Sequence, residues 1–173
     1  MSERRSTPHD RADAAHRAAA LKERIYVAFT ALAVILTLQA HDADASPGRA
    51  LGTLAVAVAA TVCTVYLADL LSHVVVHARV PTAAEHGRMA ASTLGAATVV
   101  GPAVVSLALA AFGVYATTTG LLVATVTTVT TLTAVGLLAV RRLALPRRQR
   151  LVVMAGEVVL ALAVLALGVL AHG

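Results

Sequence analysis

The sequence predicts an all-α protein, a multi-pass bundle of transmembrane helices. Of its 173 residues, 58% are hydrophobic and only 13% are charged, and the mean hydropathy is +0.81. A soluble domain of this size needs a largely polar surface, which so few charged side chains do not supply. The charges are also bunched between long apolar runs, a layout typical of a chain that crosses a bilayer several times.

The composition excludes several classes of function. Cys63 is the single cysteine of the chain and lies in an apolar run. One cysteine cannot form an intramolecular disulfide or a Cys-based zinc or iron–sulfur site. The net charge is +5, but the basic residues lie beside apolar segments and aromatic residues make up 3%. We therefore expect anionic lipid headgroups as partners and no nucleic acid. No nucleotide-binding or nucleophile-elbow motif occurs, so we predict no enzyme activity and no cofactor.

Residues 1–24 form a basic segment that we expect to be a cytoplasmic, partly helical tail. Thr7, Pro8 and Asp10 resemble a helix start, with a frayed tail as the alternative. The first crossing is then a short helix over residues 25–40. A cleaved signal peptide is the competing interpretation, because Ala43-Asp44-Ala45 resembles a cleavage site. Four more apolar spans follow, which favours a retained helix.

The next crossings follow from length. A helix is expected over 50–77, and then the chain runs from Met89 to Val140, 52 residues, without Asp, Glu, Lys, Arg or His. One helix of that length would span about 78 Å against a hydrocarbon core of about 30 Å, so the run must fold back. Gly113 to Gly120 is the best turn, giving helices over 89–112 and 119–140. Pro102 is expected to kink the first of them. A fifth helix over 151–171 completes the domain.

The distribution of Lys and Arg predicts the orientation. Thirteen of the fourteen basic residues fall before residue 25, near residue 80 or in 141–150, and Arg49 alone falls on the other side. Cytoplasmic segments retain such an excess, so we predict five crossings in a bacterial plasma membrane, with the N-terminus inside and the C-terminus outside. The arginines expected to contact lipid headgroups are Arg24, Arg141, Arg142, Arg147 and Arg148.

Two acids fall within predicted crossings, Asp69 and Glu157, at similar depths on the cytoplasmic side. Charged residues there are costly and often functional. Tyr66, Asp69 and His73 share one face of the second helix with His77, and we expect that face to continue through small residues on which other helices pack. The small residues are Gly52, Ala55, Ala59 and Cys63.

This polar face has three interpretations. Asp69, His73 and His77 at i, i+4 and i+8 resemble a metal site that His86 or Glu157 would complete, but no HExxH is present and we predict none. The face could instead be an ion or proton pathway formed by Tyr66, Asp69, His73 and Glu157. The third interpretation is a structural cluster of hydrogen bonds.

The fourth predicted helix is rich in threonine and has a small-residue stripe at Gly120, Ala124 and Thr128. Its hydroxyls could line an aqueous path, but threonines in lipid usually donate to their own backbone, which favours packing. The threonines concerned are Thr125, Thr127, Thr128, Thr130, Thr131 and Thr133.

The layout resembles that of small actinobacterial integral membrane proteins of unassigned function. The similar features are the basic approach Lys22-Glu23-Arg24-Ile25-Tyr26, the Tyr-plus-acid segment from Tyr66 to Leu71, and a basic loop before a last helix that ends in Ala171-His172-Gly173. The resemblance carries over no site residue. Two hypotheses follow: a non-enzymatic structural or partner-binding bundle, or a small oligomeric ion or proton channel or carrier that uses Asp69 and Glu157.

Overall fold

The computed structural model describes residues 8–41, 45–141, 148–149, 151–152, 155–156, 159 and 163, and it is helical with no strand in these residues. The helices are α1 (Pro8–His41), α2 (Pro47–His77), α3 (Ala83–Ala97), α4 (Gly101–Ala111) and α5 (Thr117–Arg141). In the described residues, three helical stretches are long and apolar enough to cross a membrane: Pro47–His77, Ala83–Ala111 and Thr117–Ala139. The prediction of an all-helical protein with helices able to cross a membrane is thus confirmed for these residues.

Helix α1 supplies a large part of the buried core. It is one continuous helix that joins the predicted tail helix to the first apolar stretch. The helix packs against α2, α3 and α5, and positions spaced three or four residues apart place one face in the core. The fully buried residues on that face are Val27, Ala28, Ala31, Leu32 and Ile35.

Helix α2 is capped at both ends. Ser46 accepts a hydrogen bond from the Arg49 amide at its start, and Ala78 adopts a left-handed conformation at its end. Within it, Leu54 and Thr61 are buried, whereas Cys63 is exposed. The other described helices leave the predicted small-residue face uncovered, since Gly52, Ala55 and Ala59 are exposed too.

The reason is that the buried face of α2 turns along the helix. In the first half it includes Leu54 and Thr61, but in the second half it shifts to the side of Tyr66, Asp69 and His73. Because a short connection leads into α3, it is the end of α2 that α3 packs against. The sequence pattern of α2 predicts one buried face along the whole helix, and it therefore misses this change of neighbouring helix.

Helices α3 and α4 form one interrupted span. A 3-10 turn, Thr98–Val100, separates them, immediately before Gly101-Pro102. Pro102 has no N–H for the carbonyl of Thr98 four residues earlier, and the Gly101 amide bonds to that carbonyl instead, one residue closer. The expected interruption thus lies one turn before Pro102.

The chain reverses at residues 112–116, which overlaps the predicted turn. Gly113 has a φ of 78°, in the left-handed region that glycine adopts without strain. Gly120 then allows α5 to approach α4, because a Cβ at this position would lie 2.9 Å from the Ala110 Cβ. The α5 face that enters the core includes Gly120, Leu121, Ala124, Thr128 and Leu132. The predicted small-residue stripe on this helix is confirmed.

Candidate functional site

Polar side chains from three helices meet at one end of the bundle, where α2 ends and α3 begins. Glu23 of α1 accepts a hydrogen bond from the Ser92 hydroxyl of α3, with 3.1 Å between the oxygens. The same carboxyl group is in hydrogen-bonding contact with Asp69 of α2. We call Glu23 and Asp69 the acid pair.

The acid pair is protected from solvent. Glu23 is only 4% exposed, and it precedes the apolar stretch of α1 that begins at Ile25. Burial, and next the charge of Asp69, raises the pKa of Glu23 above its ordinary value, while the bond from Ser92 acts in the opposite direction. Burial beside a second acid therefore favours the neutral, protonated form of the Glu23 carboxyl group.

Glu23 was not among the predicted site residues. Its neighbours Lys22 and Arg24 are charged and exposed, and a run of three charges suggests a solvated surface. However, Glu23 stands four residues before Val27, which itself precedes the buried Ala31 and Ile35 at steps of four. This spacing would have placed Glu23 on the core face of α1.

A second contact joins α2 to α3. The Tyr66 hydroxyl lies 2.7 Å from Nδ1 of His86. The contact is partly buried and holds Tyr66 toward the bundle, one turn before Asp69 on the same helix. The predicted polar face of α2 is in this respect an inward face.

The third contact is a network of an ion pair and hydrogen bonds on the connection between α2 and α3. Arg79 donates two hydrogen bonds to Glu85, at 2.8 and 2.7 Å, and Glu85 also accepts from the amide and hydroxyl of Thr82. These residues precede the charge-free stretch that begins at Met89. These four bonds hold the Glu85 carboxylate in place at the start of α3. The pKa of Arg79 is raised by the same partner.

His73 completes the cluster. Its Nε2 is 3.8 Å from the Glu85 carboxylate, and its ring centroid is 4.4 Å from that of His77. Of the predicted pathway residues, the structure thus brings Tyr66, Asp69 and His73 into one cluster, while His77 is exposed at its edge. Glu157 lies outside the described residues.

Metal binding and the threonine helix were the other predicted possibilities. Among the described residues, no group of three or more His, Cys, Asp and Glu side chains is arranged to hold a metal ion. In α5, Thr125, Thr128 and Thr131 each donate to the carbonyl four residues earlier, and so do Thr127 and Thr130. These hydroxyls donate to carbonyl groups of their own helix, as the packing interpretation predicts.

The predicted headgroup contacts are only partly described. Arg24 and Arg148 are exposed, and Arg141 is the last residue of α5. Arg142 and Arg147 lie outside the described residues.

Comparison with known proteins adds no relative to this geometry. The chain matches no protein-family model, no curated protein and no solved structure.

Proposed function

We propose that the chain is a non-enzymatic, five-crossing protein of a bacterial plasma membrane that binds a second transmembrane helix through the outer face of α2. That helix belongs to another copy or to a membrane partner. The N-terminus lies in the cytoplasm and the C-terminus outside. The resemblance to actinobacterial membrane proteins of unassigned function is compatible with such a role.

The position of the basic residues supports this orientation. Arg24, Arg79 and Arg88 belong to the end of the bundle that carries the polar cluster, whereas Arg49 belongs to the opposite end. Helix α5 packs along α4 after the reversal, so Arg141 returns to the cluster end. Segments rich in arginine stay on the cytoplasmic side of bacterial membranes.

One observation carries the proposal: α2 exposes a row of small residues while the core is filled. Gly52, Ala55, Ala59 and Cys63 are exposed along the outer face of α2. A shallow, mainly apolar groove runs beside them and includes Gly52, Val56 and Ala60. Small residues let the backbones of two helices approach closely, which is the usual basis of helix association in lipid.

Cys63 provides the test, because it is the only cysteine of the chain and lies exposed on this face. Oxidative cross-linking in native membranes should give a Cys63-dependent product, of twice the monomer mass for a second copy or of another mass for a partner. Cys63→Ser abolishes it. A matched control moves the cysteine to the buried face of α1 (Cys63→Ser with Val27→Cys) and should give no product. Failure of the native protein to cross-link, in membranes and in proteoliposomes, would contradict the proposal.

A second candidate function, a proton or cation carrier, is favoured by the acid pair. Glu23 and Asp69 are the kind of coupled carboxyl groups that bind and release a proton inside a bundle. Glu157, at a similar depth in the sequence, would extend the pathway.

Ion flux in proteoliposomes under proton, sodium, potassium and divalent gradients tests the carrier. Glu23→Gln, Asp69→Asn and Glu157→Gln are compared with Ser106→Ala, which changes a neutral contact on the opposite side of the bundle. If the protein is a carrier, Glu23→Gln and Asp69→Asn should abolish the flux and Ser106→Ala should retain it. No flux under any gradient would remove this candidate and leave the bundle function untouched.

A further inference from the structure

His73 has a buried nitrogen without a partner. Its side chain is 10% exposed, and among the described residues its Nε2 is the buried side-chain atom that lacks a hydrogen bond. An unsatisfied polar atom in a buried position is costly, so such an atom in a native fold calls for an explanation.

The atom nearest to supplying a partner is the carboxylate of Glu85. The distance of 3.8 Å from Nε2 to Oε2 is longer than a hydrogen bond but short enough for an ion pair. Carboxylate oxygens only accept, so a bond needs a hydrogen on Nε2. Glu85 is already fixed by Arg79 and Thr82, so a small movement of His73 is enough to form it.

The surrounding charges are of both signs. On α2, Asp69 precedes His73 by one turn and His77 follows it, with the two rings 4.4 Å apart. The connection contributes Arg79, and α3 contributes Glu85 and His86. Helix α1 contributes Glu23, which faces Asp69.

We propose that His73 is a proton-binding site, and that its protonated imidazolium donates from Nε2 to Glu85 and thereby fastens the end of α2 to the start of α3. Histidine is the side chain that ordinarily gains its proton between about pH 8 and pH 5. Glu85 stays ionised over that range because Arg79 and Thr82 hold its charge. The imidazolium always carries a hydrogen on Nε2 and adds its charge, whereas the neutral ring has that hydrogen in only one of its two tautomers. The contact is therefore strongest at the acidic side.

The consequence is a connection whose order depends on pH. The start of α3 also carries His86 and Ser92, which contact α2 and α1. Fastening Glu85 on the acidic side thus favours the docked position of this part of α3. The inference does not depend on the proposed function, since it concerns folding contacts within one chain.

Amide hydrogen exchange of the full chain in detergent or nanodiscs tests it. At about pH 5.5 and about pH 8, bracketing the histidine range, exchange of residues 78–90 is measured and corrected for its intrinsic pH dependence. We expect several-fold slower exchange at the acidic pH. His73→Gln, which keeps a polar side chain, should remove most of that difference.

The matched control is His77→Gln, a change of the neighbouring histidine that is exposed. It should retain the difference, because it leaves the contact between His73 and Glu85 in place. Equal exchange at both pH values in the native chain, or a pH effect that His73→Gln leaves unchanged, would overturn the proposal. If His73→Gln does not fold, the imidazole nitrogen resonances of the native chain decide. An Nε2 that stays unprotonated down to pH 5.5 would overturn it.

Discussion

The two ends of the bundle are closed by different chemistry. At the end with the polar cluster, α1, α2 and α3 meet through ionisable groups: Glu23 with Asp69, and His73 with Glu85. On the other side, α4 and α5 are joined by neutral groups. The Ser106 hydroxyl donates to the Gly120 carbonyl at 2.9 Å, and the Tyr115 hydroxyl donates to the Ser106 carbonyl at 2.7 Å.

Because of this difference, we expect the packing at the two ends of the bundle to respond differently to pH. The hairpin of α4 and α5 depends on close backbone approach and on hydrogen bonds from hydroxyl to carbonyl groups. The contacts of α3 with α1 and α2 depend on groups whose charge follows pH. We therefore expect the packing of the hairpin to be independent of pH and the packing of α3 against α1 and α2 to depend on pH.

The largest effect is expected at Gly120. In Gly120→Ala the new Cβ would lie 2.9 Å from the Ala110 Cβ and 3.2 Å from the Tyr115 ring. Neither α4 nor the ring can yield without disturbing the hydrogen bonds of Ser106, so the free energy of unfolding should fall by about 1–3 kcal/mol. Denaturation in mixed micelles measures this change.

Gly95→Ala is the matched control. No atom lies within 4 Å of a Cβ at Gly95, so the same substitution should be neutral or stabilising by up to about 1 kcal/mol, through helix propensity. Equal losses in the two variants would mean that close approach of α4 and α5 is not what stabilises the hairpin.

This contrast also explains how much the sequence could predict. Three features depend on local pattern, and the structure has them: helices long and apolar enough to cross a membrane, the reversal after Phe112, and the core stripe from Gly120 to Thr128. The inward turn of Tyr66 and the exposure of Cys63 depend on which helix covers each half of α2. Those neighbours are set by tertiary packing, which one helix's periodicity does not contain.

The same reasoning applies to the site. Asp69 stood out because an acid in an apolar run is costly, whereas Glu23 was hidden between Lys22 and Arg24. Its partner Ser92 lies 69 positions away along the chain. A contact over that separation has no local signature, although the four-residue spacing from Glu23 to Val27 indicated the face.

A second prediction concerns Glu23→Gln. Because the folded state raises the pKa of Glu23 above its ordinary 4.5, this group lowers stability as pH rises from that value through the raised pKa. The native chain should therefore lose stability over that range, by about 1.4 kcal/mol for each unit of the rise. Glu23→Gln keeps an acceptor for Ser92 and should show a smaller loss. Thermal unfolding in detergent as a function of pH measures it.

Ser106→Ala is the control for this experiment. It removes a buried hydroxyl with contacts to Gly120 and Tyr115, so stability should fall by about 1–2 kcal/mol. That loss should be the same at every pH, and the pH dependence should match that of the native chain. A Glu23→Gln variant with the native pH dependence would show that the raised pKa of Glu23 is not the source of that dependence.

The smallest effect is expected for Thr128→Val, which distinguishes a packed helix from a water-lined one. Thr128 is buried and its hydroxyl donates to the Ala124 carbonyl of its own helix, at 2.7 Å. That carbonyl keeps the bond from the Thr128 amide, so a side chain of the same shape should change the free energy of unfolding by no more than about 0.5 kcal/mol. A larger loss, or an altered ion flux in proteoliposomes, would mean that this hydroxyl serves water or an ion rather than α5. The hairpin side would then share the ionic chemistry that otherwise belongs to the cluster end alone.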